Sequence, residues 1–354
     1  MGLFSSNKGY LGIDIGSSSI KIVELKEERG RLRLLTYGFT ENLGDKFKDY
    51  LQKDVKYTAS VINKVCEKAK ITSQNAIAAL PTFSVFSSII NLSNVNLKEI
   101  SSAVHWEAKK IIPLPLEDMV LDWKFISDSK EKNSDGDKKK DTKVLLTGAP
   151  KTLVKKYISI FKEARINLLS LETETFSLIR SLLGNDKTTI MIVEIGASTT
   201  DSSIVSKGIP VLNRSIDIGG LTITKAISSN LNIGMERAEQ FKYDLGITSI
   251  ESKEDAIPRT IVDTISPITN EIKYLINLFQ SKNNEKIEKI VLSGGSSLLP
   301  NFTNYLSKIL NINVIIGDPW SSISYPAELK PVLTEIGPKL SVAIGLALRG
   351  VKKG

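Results

Sequence analysis

The sequence predicts a two-lobed α/β fold: a β-rich unit is duplicated around a cleft, and a smaller α/β block interrupts the first copy. Three observations predict it. Strand and helix patterns alternate along 354 residues of which 41% are hydrophobic, enough for more than one core. DIGSSSIKIVEL at 14–25 and EIGASTTDSSIV at 194–205 share one design: a β-rich run, an acidic residue, an apolar residue, a glycine and a run of small hydroxyl residues. The repeat is domain-sized and occurs once, which points to two homologous lobes and not to a solenoid.

The elements follow in order. Residues 9–15, 20–26 and 31–39 read as three strands joined by tight turns. A helix over 56–69 leads to a buried strand, Asn75–Leu80, closed by Pro81. The inserted block reads as a strand near 83–92, a helix near 97–112 that Pro113 and Pro115 end, strands near 120–126 and 143–149, and a helix near 151–164. Its charged stretch, 127–142, predicts a hairpin loop. The opening pattern then recurs at 188–195, 200–206 and 209–217. Helices are expected near 219–231, 234–244 and 258–280, a strand at 288–293, a helix near 299–310 and a last helix near 336–350. These assign a first lobe to 1–183 (core 1–82 and 166–183, insert 83–165), a second lobe to 184–335, and a C-terminal helix, 336–354, that returns to the first lobe.

Composition narrows the chemistry. The net charge is +8, but the excess lysine is scattered, with no aromatic-interleaved basic stripe, so nucleic acid is not expected as a partner. His105 is the single histidine and Cys66 the single cysteine, which excludes a His-rich metal site, zinc of the usual kind and an internal disulfide, and a Ser–His–Asp triad is not expected. Cys66 falls in the apolar pattern Ala59, Ile62, Val65, Cys66, Ala69 and reads as a buried thiol; His105 and Trp106 read as packing or surface residues. The start, Met1–Ser6, matches the short myristoylation pattern, read as chance. No uninterrupted apolar run reaches membrane-spanning length, and the last helix reads as core and not as an anchor.

The chemistry is carried by the repeated turn. In the first copy Gly16 allows a sharp path, Ser17, Ser18 and Ser19 offer backbone N–H groups and hydroxyls to an anion, Lys21 can reach a phosphate, and Asp14 can hold Mg²⁺ through water. The second copy, Glu194 followed by Gly196, Ala197, Ser198 and Thr199, repeats this from the other lobe. Facing each other, the two would clamp a polyphosphate and its metal. Gly294, Gly295 and Ser296, after an apolar strand, let backbone approach a flat ligand. Gly219 and Gly220 open a helix, and Glu239 and Lys242, three apart on the next one, can reach a ribose and an adenine edge; alone they would be an ordinary surface ion pair.

In this order the four elements resemble the actin, sugar-kinase and heat-shock chaperone superfamily, and so imply an actin-like (ribonuclease H-like) ATPase fold. KGYLGIDIGSSSIKIVEL at 8–25, AVHWEAKKIIPLPLEDMVLDW at 103–123, LETETFSL at 171–178 and SVAIGLALRG at 341–350 are similar, more closely, to the PilM family of type IV pilus assembly proteins, relatives of the division protein FtsA. The resemblance implies ATP with Mg²⁺, the two turns as phosphate sites, Asp14 and Glu194 near the metal, the residues from Gly219 to Ser296 around adenosine, and Glu174 as the residue that orients an attacking water. It implies a cytoplasmic protein at the inner membrane, held there by partners: the cytoplasmic N-terminal peptide of PilN, and the pilus assembly ATPase and platform protein, with homo-oligomers left open. The family's second acid is usually Asp; Glu194 departs from this and implies weak hydrolysis at most, because a displacement of about 1 Å can cost roughly a hundredfold. An FtsA-like filament protein is the alternative, marked by a long tail with a membrane helix. A small-molecule kinase would need a catalytic Asp near a sugar site, for which the first lobe offers no candidate.

Overall fold

The computed structural model describes residues 9–40, 54–93, 95, 99–129, 141–247, 256–283 and 285–351. The N-terminal Met1–Ser6 pattern and most of the charged stretch at 127–142 lie outside the described residues.

β1 (Gly9–Ile15), β2 (Ile20–Glu28) and β3 (Arg31–Phe39) form an antiparallel meander. Its apolar residues are nearly continuous because both faces are covered: Ile13, Ile20 and Ile22 enter one core, Val23, Leu25 and Leu34 another. α1 (Val55–Lys68) starts where Asp54 accepts from the backbone N–H groups of Lys56 and Tyr57, and buries Thr58, Ala59, Ile62 and Val65 at helical spacing. Cys66, on its flank, is half-buried, and burial pushes its thiol up to about 11. β4 (Asn75–Leu80) then pairs parallel to β1.

The insert builds its own sheet from β5 (Phe86–Ser93), β6 (Met119–Ser129) and β7 (Asp141–Pro150), in the order β5-β7-β6. α2 (Ile100–Ile111) covers it through Val104 and Ala108 against Ile90, Val144 and Leu146. His105 and Trp106 lie on the outer face of α2, Trp106 at 65% exposure, so they are surface residues. β5 begins at 86 and not 83 because Thr82–Ser84 form a 3₁₀ turn after Pro81. α3 (Lys151–Glu163) returns the chain to β8 (Asn167–Thr173), which lies parallel to β4. α4 (Glu174–Leu178) follows at once and runs into a π turn, Ile179–Leu183.

β9 (Ile190–Ile195), β10 (Thr200–Ser206) and β11 (Ile209–Ile216) repeat the meander. Even the far turns match: Arg29–Gly30 has φ of 52° and 74°, and Lys207–Gly208 has 54° and 78°. These paired positive angles suit the two-residue hairpin turn. After α5 (Gly220–Leu231), α6 (Met235–Leu245) and α7 (Ala256–Lys282) come β12 (Lys289–Ser293), α8 (Phe302–Leu310) and β13 (Asn313–Ile316). The second sheet runs β11-β10-β9-β12-β13, the first β14-β3-β2-β1-β4-β8, so the duplication extends to topology. α8 starts later than the sequence suggests because Gly295–Leu298 is a 3₁₀ turn and Asn301 is left-handed.

β14 (Ile323–Ser324) pairs with β3, so these residues, expected in the second lobe, join the first sheet. α9 (Lys330–Val351) begins earlier than 336, because Pro331 stands in its first turn, where a proline is accommodated. It packs Leu340, Ala343 and Ala347 against Val23 and Leu25 on one side. Val342 and Leu346 meet Ile77, Ile192 and Val291 on the other, so α9 and the turn after α4 lie between the two sheets.

Candidate functional site

The two copies of the small-residue turn close alike: Gly16 N–H donates to Ser19 O at 3.0 Å, and Gly196 N–H to Thr199 O at 2.9 Å. Neither glycine has a positive φ. The reason for glycine is close approach: a Cβ at Gly16 would stand 3.0 Å from Lys21 Nζ and 3.1 Å from Ser19 O, and one at Gly196 3.2 Å from Thr199 O. Gly16, Ser17, Ser198 and Thr199 line one cavity of about 320 Å³, together with Glu174 and Asp217. The structure therefore brings both turns to one space. Ser18 and Ser19 complete the first turn and Ala197 the second, whose carbonyls are anchored: Gly220 N–H donates to Gly196 O and Leu221 N–H to Ala197 O, both at 2.9 Å.

Around this cavity lies an acid-rich cluster. Asp14 is 3% exposed and accepts from Lys21 Nζ at 2.9 Å. Burial opposes the Lys21 charge, yet Asp14, by charge and hydrogen bond, with Glu194 and Glu174 behind it, raises its pKa. In the second hairpin the equivalent register pair is Glu194 and Asp201, two carboxyls. Burial, with Asp14 and Asp201 adding repulsion and Lys21 opposing it, pushes Glu194 up to about 8. Its Oε2 is buried and has no hydrogen-bond partner. Asp201 accepts from Ser215 Oγ and, at 3.3 Å, from Thr199 Oγ1, while burial raises its pKa. Glu174 Oε2 accepts from Thr82 N at 2.7 Å and Thr82 Oγ1 at 3.2 Å. Burial and then Glu194, Asp201 and Asp14 raise its pKa well above the ordinary carboxyl value.

The glycines expected around a base are gathered beside the second turn. A Cβ at Gly219 would sit 2.6 Å from Ala197 O, and one at Gly220 would run into Ser296 Oγ. Gly294, at φ 83°, lies against Ile195 O. Tyr243 OH donates to Gly295 O at 3.3 Å. Lys242 departs from the expected ligand-facing pair. It is 1% exposed, and its ammonium donates to Glu239 Oε2 at 2.7 Å, Thr224 Oγ1 at 3.0 Å and Gly220 O at 3.3 Å. Burial lowers its pKa although Glu239 opposes the shift. Its donors are turned inward because α6 packs that face on α5; the Glu239 side chain remains 39% exposed.

Sequence reasoning missed the wall supplied by Phe83, Lys156, Tyr157 and Asp217. Helical spacing of 153, 156, 157 and 160 was visible, but nothing marked that face as lining a cavity. A second cavity, about 350 Å³, opens between the inserted sheet and the first sheet, with Trp123, Leu145 and Leu171 among its apolar lining and Arg180 and Arg349 at one side. There Glu172 accepts from Arg180 through both oxygens, at 2.8 and 2.9 Å, and from Arg349 at 2.7 Å.

Oxygen donors with an orphaned buried carboxyl oxygen suit a hard cation. Among the described residues no group of three or more His, Cys, Asp or Glu side chains is placed to hold a metal ion by itself. Water and ligand oxygens would have to complete any coordination shell.

Residues 12–351 match the family described as "Type IV pilus assembly protein PilM". A chain of a solved "PilM-PilN type IV pilus biogenesis complex" superposes with a TM-score of 0.81 at 24% identity, covering 97% of this chain and 98% of that one. EutJ from Carboxydothermus hydrogenoformans gives 0.56 at 15% identity over 96% of this chain and 89% of that one. AMPPNP-bound MreB5 of Spiroplasma citri gives 0.55 at 14% over 98% and 97%. The fold is actin-like. FtsA of Enterococcus faecalis is 22% identical over 345 residues, 86% of this chain and 77% of that protein.

Proposed function

The chain belongs to the family of the type IV pilus assembly protein PilM, and we propose that it works there as an ATP-binding scaffold whose two lobes close on the nucleotide. The observation that carries this reading is the single cavity onto which both small-residue turns and Glu174 open. In it Gly16, Ser17, Ser18, Ser19 and Lys21 hold the phosphates from one side, and Gly196, Ala197, Ser198 and Thr199 from the other. Asp14 and Glu194 orient Mg²⁺ through water, a role that matches the unpartnered Glu194 oxygen. When bound, the metal supplies the positive charge that this acid-rich site lacks. Gly219, Gly220, Gly294, Gly295 and Ser296 border the adenosine, with the exposed part of Glu239 toward the ribose; Lys242 supports from behind.

Glu174 holds a water near the terminal phosphate. Its carboxyl shares a buried space with three other acids, so it accepts a proton readily but is crowded, in keeping with slow hydrolysis at most.

The second cavity takes the cytoplasmic N-terminal tail of a PilN-type membrane protein. Its lining combines apolar residues with Asp122, Lys124 and the Glu172-paired Arg180 and Arg349, it is walled partly by the insert, and the PilM-PilN complex is a structure this chain resembles over nearly its full length. That contact would hold the chain at the cytoplasmic face of the inner membrane and join it to the assembly motor. Calorimetric titration with Mg-ATP and with a synthetic PilN-type N-terminal peptide tests the reading: both should bind, and a protein that binds neither overturns it. The likeness to FtsA carries a second reading, a filament protein, which ATP-dependent pelleting without peptide would favour.

A further inference from the structure

Three short segments separate the two cavities, and each lines both. In the first, Leu80 and Val85 face the peptide cavity, whereas Pro81, Phe83 and Ser84 face the nucleotide cavity. In α3, Val154 faces one and Leu153 and Tyr157 the other. At the start of α4, Thr173 and Phe176 line the peptide cavity while Glu174 lines the nucleotide cavity. The cavities share these three segments as a wall.

One contact fastens that wall. Thr82 gives both its N–H and its hydroxyl to Glu174 Oε2, at 2.7 and 3.2 Å. Thr82 sits in a turn closed on itself: Ser84 N–H donates to Pro81 O at 3.0 Å and Val85 N–H to Thr82 O at 3.2 Å. The turn also reaches the second lobe: Thr175 Oγ1 lies 3.5 Å from Thr82 Oγ1 and 3.4 Å from Ser203 Oγ of β10. Glu174, which lines the nucleotide cavity, therefore also holds the wall through Oε2.

We propose that Thr82 is a positioning residue that couples the two cavities: when nucleotide draws Glu174 away, the 80–85 turn is released and the peptide cavity changes shape. This rests on the proposed pairing of nucleotide and PilN-type tail. The two arrangements, Glu174 on Thr82 or Glu174 on the ligand's water, form a two-state element that both sites bias, and the coupling is reciprocal.

The test titrates a labelled PilN-type N-terminal peptide into the full chain without nucleotide, with Mg-ADP and with Mg-AMPPNP. In the wild type, the peptide Kd with AMPPNP should differ at least about fivefold from the nucleotide-free value. Thr82→Val removes the hydroxyl and leaves the N–H, so it should bind both ligands with that ratio lowered by about twofold, and Thr82→Ser, which keeps the hydroxyl, should restore it. A wild type that binds both ligands with no shift overturns the coupling and leaves the function standing. A Thr82→Val protein with the full wild-type shift overturns the role of the Thr82 side chain. Binding of neither ligand fails the function itself. Should Thr82→Val not fold, amide exchange in the wild type decides: AMPPNP should speed exchange at Thr82 and Val85, and unchanged rates overturn the proposal.

Discussion

The two hairpin turns have one backbone and opposite electrostatics. Across the first, Asp14 faces Lys21 and the pair nearly neutralises itself. Across the second, the same register positions hold Glu194 and Asp201, and the Glu194 oxygen finds no donor. Gene duplication copies geometry; the two side chains that flank each turn then divide the work. The first turn carries its own cation, Lys21; the second pairs two carboxyls.

The comparison breaks most visibly at its acids. Asp14→Ala strips Lys21 of its partner; a buried pair broken this way costs about 3–5 kcal/mol. Because the Lys21 side chain is 19% exposed and Glu194 remains near, a loss of about 2–3 kcal/mol in urea unfolding is expected. At the equivalent position the sign reverses. Glu194→Gln, in chelator and without nucleotide, should stabilise the protein at alkaline pH by about 1–2 kcal/mol while weakening Mg-ATP binding.

The pH profile sharpens this. The folded chain holds the Glu194 proton up to about 8, against an ordinary value of 4.5. Between those values the folded state binds more protons than the unfolded state, so the group's contribution is full below the lower value and lost as pH rises through the upper. Metal-free wild type should lose stability over that window, Glu194→Gln should lose less, and identical slopes would contradict the assignment. Gly16→Ala should cost about 1 kcal/mol and Gly196→Ala less, following their approaches of 3.0 and 3.2 Å. The smallest effect belongs to the hydroxyls: Ser17→Ala and Ser198→Ala should each weaken ATP by about 0.5–1.5 kcal/mol without moving the melting temperature; a larger loss at one would show unequal phosphate grips.

The turns were legible because the motif occurs twice: one small-residue turn after an acid and a glycine is common, and the second copy made the first specific. Both meanders followed from β-rich runs joined by tight turns. Short elements escaped: β13 has four residues and β14 two, too few for a period to show. Lys242 is expected from the sequence to face the ligand beside Glu239, since helical spacing gives proximity but not which partner is turned inward; packing of α6 on α5 decides that. Asp201 was passed over inside a strand, although its meaning appears only when the two hairpins are aligned residue by residue. The wall around Thr82 was invisible for a deeper reason. Its residues alternate between two cavities that exist only once the insert has folded against the first sheet.

The tight seat of α9 bears on how the chain reaches this state. A Cβ at Gly12 would strike the Ala343 carbonyl, and one at Gly345 would strike that of Ser177, so strand and helix meet backbone to backbone. By length and hydropathy the stretch Ala327–Gly350 could cross a bilayer, yet 67% of its apolar window is buried. During synthesis, β1 leaves the ribosome almost the whole chain before this cover exists. Its apolar face must wait, shielded by chaperones or by provisional collapse, and such late, long-range closure predicts slow refolding in which the first lobe matures after the second.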